Sequence, residues 1–112
     1  MKVVYVAGPY RAADNWLIEQ NIRRSEEMAL EIWRLGHVGI SPHKLTQHYQ
    51  YHLPDDVWLK GDLEILSRCD AVILLQGWEN SSGTKAEIEF ALRERIPVFK
   101  DLEILKKWLA AF

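Results

Sequence analysis

The chain has little cysteine, little net charge and no long apolar run, and each shortage removes a class of protein. Cys69 is the one cysteine among 112 residues, so no internal disulfide can form and the fold must rest on packing. Met1-Lys2 passes straight into Val3-Val4-Tyr5-Val6 with no secretory leader. With the lone thiol, that start leads us to expect a cytoplasmic protein. Fourteen basic residues against sixteen acidic ones leave a net charge of -2. Such a balance gives no broad footprint for a nucleic-acid polymer, while a local basic pocket is still compatible with it. No apolar run approaches the roughly 20 residues that span a bilayer, so no membrane association is expected. Repeats, low-complexity tracts and linkers are absent too, and the length suits one domain over 1–112 with a single core.

What is present is an ordinary globular composition, 48% hydrophobic and 27% charged, with five tryptophans. The tryptophans have two readings: core filling, or a subunit interface, where aromatics are enriched. Val3 to Val6, ended by Ala7-Gly8-Pro9, reads as a buried parallel strand. Asp14 to Leu35 reads as a helix with Asp14 as N-cap and Gly36 as a left-handed stop. Its inward stripe is Ile18, Ile22, Ala29 and Trp33. His37 to Ile40 is a second strand. Asp55 or Asp56 caps a second helix that runs to about Cys69, with Trp58, Leu59, Leu63 and Leu66 at helical spacing. Asp70 to Leu75 is the third strand. Gly83 to Arg95 is the third helix, with Ala86, Phe90 and Ala91 inward. Ile96 to Phe99 is an edge strand, because Pro97 lacks an N–H. Asp101 caps a last helix through Leu105 and Trp108. Cys69, at the base of the third strand, reads as a buried thiol.

Strictly alternating strands and helices imply right-handed crossovers and a parallel sheet. We therefore expect an α/β, Rossmann-like or flavodoxin-like three-layer sandwich of four or five strands in the order 2-1-3-4. Ligands of such sheets bind beyond the carboxyl ends of the strands, where the winding reverses. Four stretches should meet there: Gly8 to Arg11, Ser41 to His43, Asp62, and Asn80 to Glu87.

Glu87 has two readings. Thr84-Lys85-Ala86-Glu87 fits a capping box. Alternatively, the small residues Ser81-Ser82-Gly83 let a ligand approach the helix start, and Glu87, its charge supported there, reacts. Asp62, with Gly61 beside it allowing a close approach, is either a solvated helix carboxylate or the partner of Glu87. Two such carboxylates in one pocket suit glycosidic cleavage. Tyr10 could stack on a base and Arg11 could hold phosphate, or both could belong to a plain turn. His43, His48 and His52 match no closed zinc pattern, so neither metal nor cofactor is expected. The segment from His43 to Pro54 reads instead as a mobile flap over the pocket.

The stretches "VYVAGPY", "GHVGISPH", "GDLEILSRCDAVILL" and "SSGTKAEIEFA" together resemble the nucleoside 2-deoxyribosyltransferase superfamily. That superfamily includes deoxyribosyltransferases and nucleoside 5′-monophosphate N-glycosidases, and the likeness runs in order through most of the chain. The resemblance implies that Glu87 attacks the anomeric carbon and that Asp62 assists departure of the base. It implies that Gly8, Pro9 and Tyr10 form the base and sugar pocket. Ser81 stands where the transferases carry a sugar-binding aspartate and the monophosphate hydrolases a phosphate-binding serine. Ser81, Ser82, Gly83 and Thr84, with Arg11 and His43, are thus expected to bind substrate. Glu89 replaces a common glycine, and the chain is shorter than most relatives and lacks their fifth strand. The implied partner is a small nucleotide or nucleoside, and the implied assembly a homodimer or higher homo-oligomer. The implied activity is base release from a nucleoside 5′-monophosphate; base exchange and nucleotide binding without chemistry are the alternatives.

Overall fold

A computed structural model describes residues 1–112. Its elements, in chain order, are β1 (Val3–Ala7), α1 (Asn15–Arg34), β2 (Val38–Ile40), α2 (Pro42–Leu45), α3 (Asp55–Ser67), β3 (Ala71–Leu74), α4 (Ser82–Arg93), β4 (Val98–Phe99) and α5 (Leu102–Leu109). The four strands form one parallel sheet in the order β2-β1-β3-β4. Val4 faces Gly39 on one side and Ala71 on the other.

The apolar strands look uniform in sequence, but the pleat sorts them into two cores. Val4, Val6, Ala71, Ile73 and Leu75 pack against Ala29 and Ile32 of α1 and Leu105 and Leu109 of α5. Tyr5, Ala7, Val72 and Leu74 point the other way, onto Leu66 of α3 and Ala91 of α4. The result is the expected three-layer sandwich, with four strands. No helix is long and apolar enough to cross a membrane.

The helix signals at α1 work as its residues dictate. The Asp14 side chain accepts from the Leu17 N–H, and Gly36 ends the helix at φ +84. His37 N–H then reaches back to the Ile32 carbonyl at 3.3 Å, completing a Schellman-type stop. Gly39 lets α1 sit directly on β2, since a Cβ there would lie 2.5 Å from the Ala29 carbonyl oxygen. Asp101 caps α5 through the N–H groups of Glu103 and Ile104. β4 is the edge strand expected from Pro97, whose carbonyl accepts from Val72 N–H at 2.9 Å.

Several expectations are corrected. Ile32, not Trp33, faces the core; Trp33 stays 54% exposed and donates its indole N–H to the Gly39 carbonyl at 3.0 Å. None of the five tryptophans is fully buried: Trp78 and Trp108 pack at the margins of the two cores, while Trp16 and Trp33 are exposed. Pro54 occupies the N-cap of α3 without a side-chain bond, and Asp55 and Asp56 sit inside its first turn, where acidic side chains suit the helix dipole. The stretch after Ser41 is not an open loop throughout, because Ser41 caps the short α2. Gly61 has open space around it, and no other part of the chain approaches it closely. On α4, Ala86 and Phe90 are only half-buried, and the buried residues are Thr84, Glu87 and Ala91.

Candidate active site

The carboxyl ends of β1 and β3, where the winding reverses, open into a cavity of about 760 Å³. Its floor begins where β1 ends. A Cβ on Gly8 would lie 2.6 Å from the Leu75 Cβ, so only glycine lets the chain turn this closely over β3. Pro9, Tyr10 and Arg11 follow along one wall. His43 holds that turn from beneath. Its Nε2 lies 2.9 Å from the Gly8 carbonyl and 3.1 Å from the Pro9 carbonyl. Two carbonyls require a donor, so Nε2 carries the proton. Burial lowers the His43 pKa, against the raising effect of those two carbonyls, which keeps the ring neutral. The Tyr10 ring meets His43 edge-on with centroids 5.0 Å apart.

A second set of contacts fixes Tyr10 from outside the cavity. Asn21 donates to the Tyr10 carbonyl at 2.9 Å, and Arg24 holds the Asn21 carboxamide oxygen at 2.6 Å. The Tyr10 hydroxyl donates to Gln50 at 2.8 Å, so the segment after α2 is tied across the cavity. Arg11 forms an ion pair with Asp55 at the cavity mouth.

Helix α4 supplies the opposite wall. Ser81 is its N-cap, and the Ser81 Oγ accepts from the Thr84 N–H at 3.2 Å and the Thr84 hydroxyl at 2.9 Å. The N–H groups of Ser82 and Gly83, in the first turn, have no intrahelical acceptor and stand beside the cavity. With Ser81 as cap, Glu87 lies in the second turn. The Thr84-to-Glu87 capping box therefore does not form.

Glu87 instead points inward. It is 7% exposed, and the buried Tyr5 hydroxyl donates to its Oε2. Burial raises the Glu87 carboxyl to about 8, against the lowering effect of the Tyr5 bond and with a further rise from the Asp62 charge. The charge support expected from the helix start is thus outweighed by burial. Asp62, one turn after Trp58 on α3, is raised by burial to about 6. The Trp58 indole N–H is the one buried side-chain polar atom without a partner. No cluster of residues could hold a metal ion.

The cavity wall includes Gly8, Pro9, Tyr10, Arg11, His43, Asp62, Ser81, Ser82, Gly83, Thr84 and Glu87, every site residue named from the sequence. Ser41 is not among them; its hydroxyl pairs with buried Ser25 behind the cavity. Sequence reading missed Tyr5, Asn21, Gln50 and Trp58. Tyr5 had left a signal, because a phenol inside an apolar strand needs a buried partner. The Cys69 thiol is buried, donates to the Ile65 carbonyl at 3.3 Å, and is pushed up to about 11 by burial, then by Asp70.

Fold and cavity together define a three-layer α/β protein with one buried carboxyl, Glu87, and one half-buried, Asp62, at the topological switch point. The chain belongs to the family described as "Domain of unknown function (DUF1937)", whose model matches residues 2–102. No curated protein matches it. A solved 2-deoxyribosyltransferase from the psychrotolerant bacterium Bacillus psychrosaccharolyticus, described as a biocatalyst for synthesis of antiviral and antitumoral nucleosides, has the same fold. The TM-score is 0.60 at 19% identity, over 86% of this chain and 69% of that one. The expected resemblance thus holds at the level of fold.

Proposed function

We propose that the protein cleaves the N-glycosidic bond of a nucleoside or deoxynucleoside 5′-monophosphate, with Glu87 as nucleophile. The observation that carries this reading is the position of Glu87: freed from any capping role, buried, bonded to Tyr5, and sharing one cavity with Asp62. A carboxyl that caps nothing and receives the Tyr5 hydroxyl is free to attack carbon once ionised. Glu87 would attack C1′ as the C1′–N bond breaks through an oxocarbenium-like state. Asp62, raised to about 6, can share a proton with the departing base. Water then hydrolyses the glycosyl ester. No step asks for a metal or an organic cofactor.

The 5′-phosphate assignment rests on the hydroxyls of Ser81 and Ser82 and the free N–H groups of Ser82 and Gly83, which form an anion seat at the start of α4. Arg11, held by Asp55, stands at the same mouth. Base exchange follows if a second base intercepts the glycosyl-enzyme, as the named activity of the similar fold suggests. Self-association belongs to the same proposal: Trp16 and Trp33 are 71% and 54% exposed along α1, and sedimentation velocity would show a species heavier than 13.1 kDa.

The test is chromatographic base release from nucleosides and 5′-monophosphates of both sugar series, with wild type and Glu87→Ala side by side. Release from monophosphates, lost in the variant, supports the proposal. No release from any substrate, with or without an acceptor base, would leave a nucleotide-binding module.

A further inference from the structure

The charges around the cavity do not balance. Four carboxyl groups line it, those of Asp55, Asp56, Asp62 and Glu87, against one arginine and no lysine. That arginine, Arg11, is already paired with Asp55. Asp56 lies out in solvent with Lys60 3.8 Å away. The two carboxyls set deeper, Asp62 and Glu87, have no cation. The Glu87 carboxyl receives only the neutral Tyr5 hydroxyl, and Asp62 makes no hydrogen bond or ion pair with the rest of the chain. The same cavity carries the aromatic walls of Tyr10 and Trp58, surfaces on which a flat cation is held well.

Two carboxyls with no cation beside them hold their protons more tightly, and a positive charge entering the pocket stabilises their ionised forms. We propose that the ligand supplies that charge: the pocket takes N-glycosides whose base is a fixed cation, an N-linked pyridinium or an N-alkylated purinium. The anion seat at Ser81 to Gly83 and the carboxyls around Asp62 then meet opposite ends of one zwitterionic mononucleotide. This rests on the glycosidic reading for its chemistry, though its binding test does not.

The chemistry balances without an added acid. Glu87 Oε attacks C1′, the C1′–N bond breaks, and its electron pair stays on the ring nitrogen. That pair cancels the cation, so a neutral base departs and no proton need reach it. Water then adds to C1′ of the ester, releasing the sugar phosphate, the Glu87 carboxylate and one proton. A cation beside Glu87 also favours its ionised form, so the substrate itself prepares the nucleophile.

The test compares a pyridinium ribonucleotide with its neutral 1,4-dihydropyridine counterpart, alike in shape and phosphate and different in ring charge. Titration calorimetry on the intact wild-type chain is expected to show about tenfold or greater preference for the pyridinium form. Asp62→Asn, which removes no native contact, is expected to bring the ratio towards one. Equal or weaker binding of the cation, or an unchanged ratio in Asp62→Asn, overturns the proposal and leaves the carboxyls to serve only the transition-state charge. Cation preference without base release would uphold this ligand class while sinking the glycosidic function. Release from neutral monophosphates without cation preference would do the reverse.

Discussion

The Tyr5 hydroxyl on β1 donates to the Glu87 carboxyl on α4, joining residues 82 positions apart at the floor of the cavity. The bond opposes the rise that burial imposes on Glu87, and the Tyr5 hydroxyl is itself held well above its ordinary pKa by burial and by the Glu87 and Asp62 charges. Tyr5 is thus a neutral donor throughout the working pH range. Tyr5→Phe keeps the packing and removes the donor. Glu87 should then ionise at higher pH, and kcat/KM at neutral pH should fall by about tenfold for each unit of that rise. The pH–rate profile checks this: activity is recovered on the alkaline side in Tyr5→Phe, whereas a damaged fold would lose it at every pH.

Glu87 also carries a stability prediction. Its folded carboxyl titrates at about 8, above the value of 4.5 expected for a free glutamate. Below 4.5 both states hold the proton and no penalty exists. Between 4.5 and 8 the unfolded chain ionises first, so stability falls as pH rises and levels off above 8. Glu87→Gln removes this penalty and keeps an oxygen for Tyr5. It should be more stable than wild type by up to a few kcal/mol at alkaline pH, with the gap closing near pH 4.5, as followed by urea denaturation. An equal gap at both pH values would contradict the burial account.

Asp62 raises Glu87 through its charge. Asp62→Asn should therefore move the inflection of Glu87 to lower pH while lowering the maximal rate, because proton assistance to the base is lost. Positioned general acids and bases contribute about 10²- to 10⁴-fold, which bounds the expected fall for a neutral substrate. A profile that keeps its shape and height would remove Asp62 from the mechanism.

Ser81 holds two roles that one substitution separates. Ser81→Ala loses the N-cap of α4 and should cost about 1 kcal/mol of stability. It should also lower kcat/KM for 5′-monophosphates more than for the matching nucleosides. Equal losses on both would confine Ser81 to capping.

Much of this architecture was legible because its signals are local. Asp14, Gly36 and Asp101 specify their helix ends through bonds within a few residues, and Pro97 marks the edge strand. Glu87 shows where such reading stops. Ser81 and Thr84 both suit an N-cap, and a shift of three residues moves Glu87 from the first turn, where it would cap, to the second, where it faces the sheet. Trp33 was misplaced for a related reason: Ile32 and Trp33 are neighbours in sequence, and the packing of α1 on β2 decides which one turns inward. A buried phenol at Tyr5 signals that a partner is needed but not which one, since Glu87 is distant in sequence, as Tyr10 is from Gln50.

The most direct test of the central claim is to trap the glycosyl-enzyme. A 5′-monophosphate bearing a 2′-fluoro substituent, which disfavours the oxocarbenium-like state and slows both steps, is incubated with the protein near pH 8 and digested for mass spectrometry. The account predicts one added sugar phosphate, carried as an ester on Glu87, and none on Glu87→Gln. Base release that proceeds with Glu87 unmodified, and persists in Glu87→Gln, would contradict it.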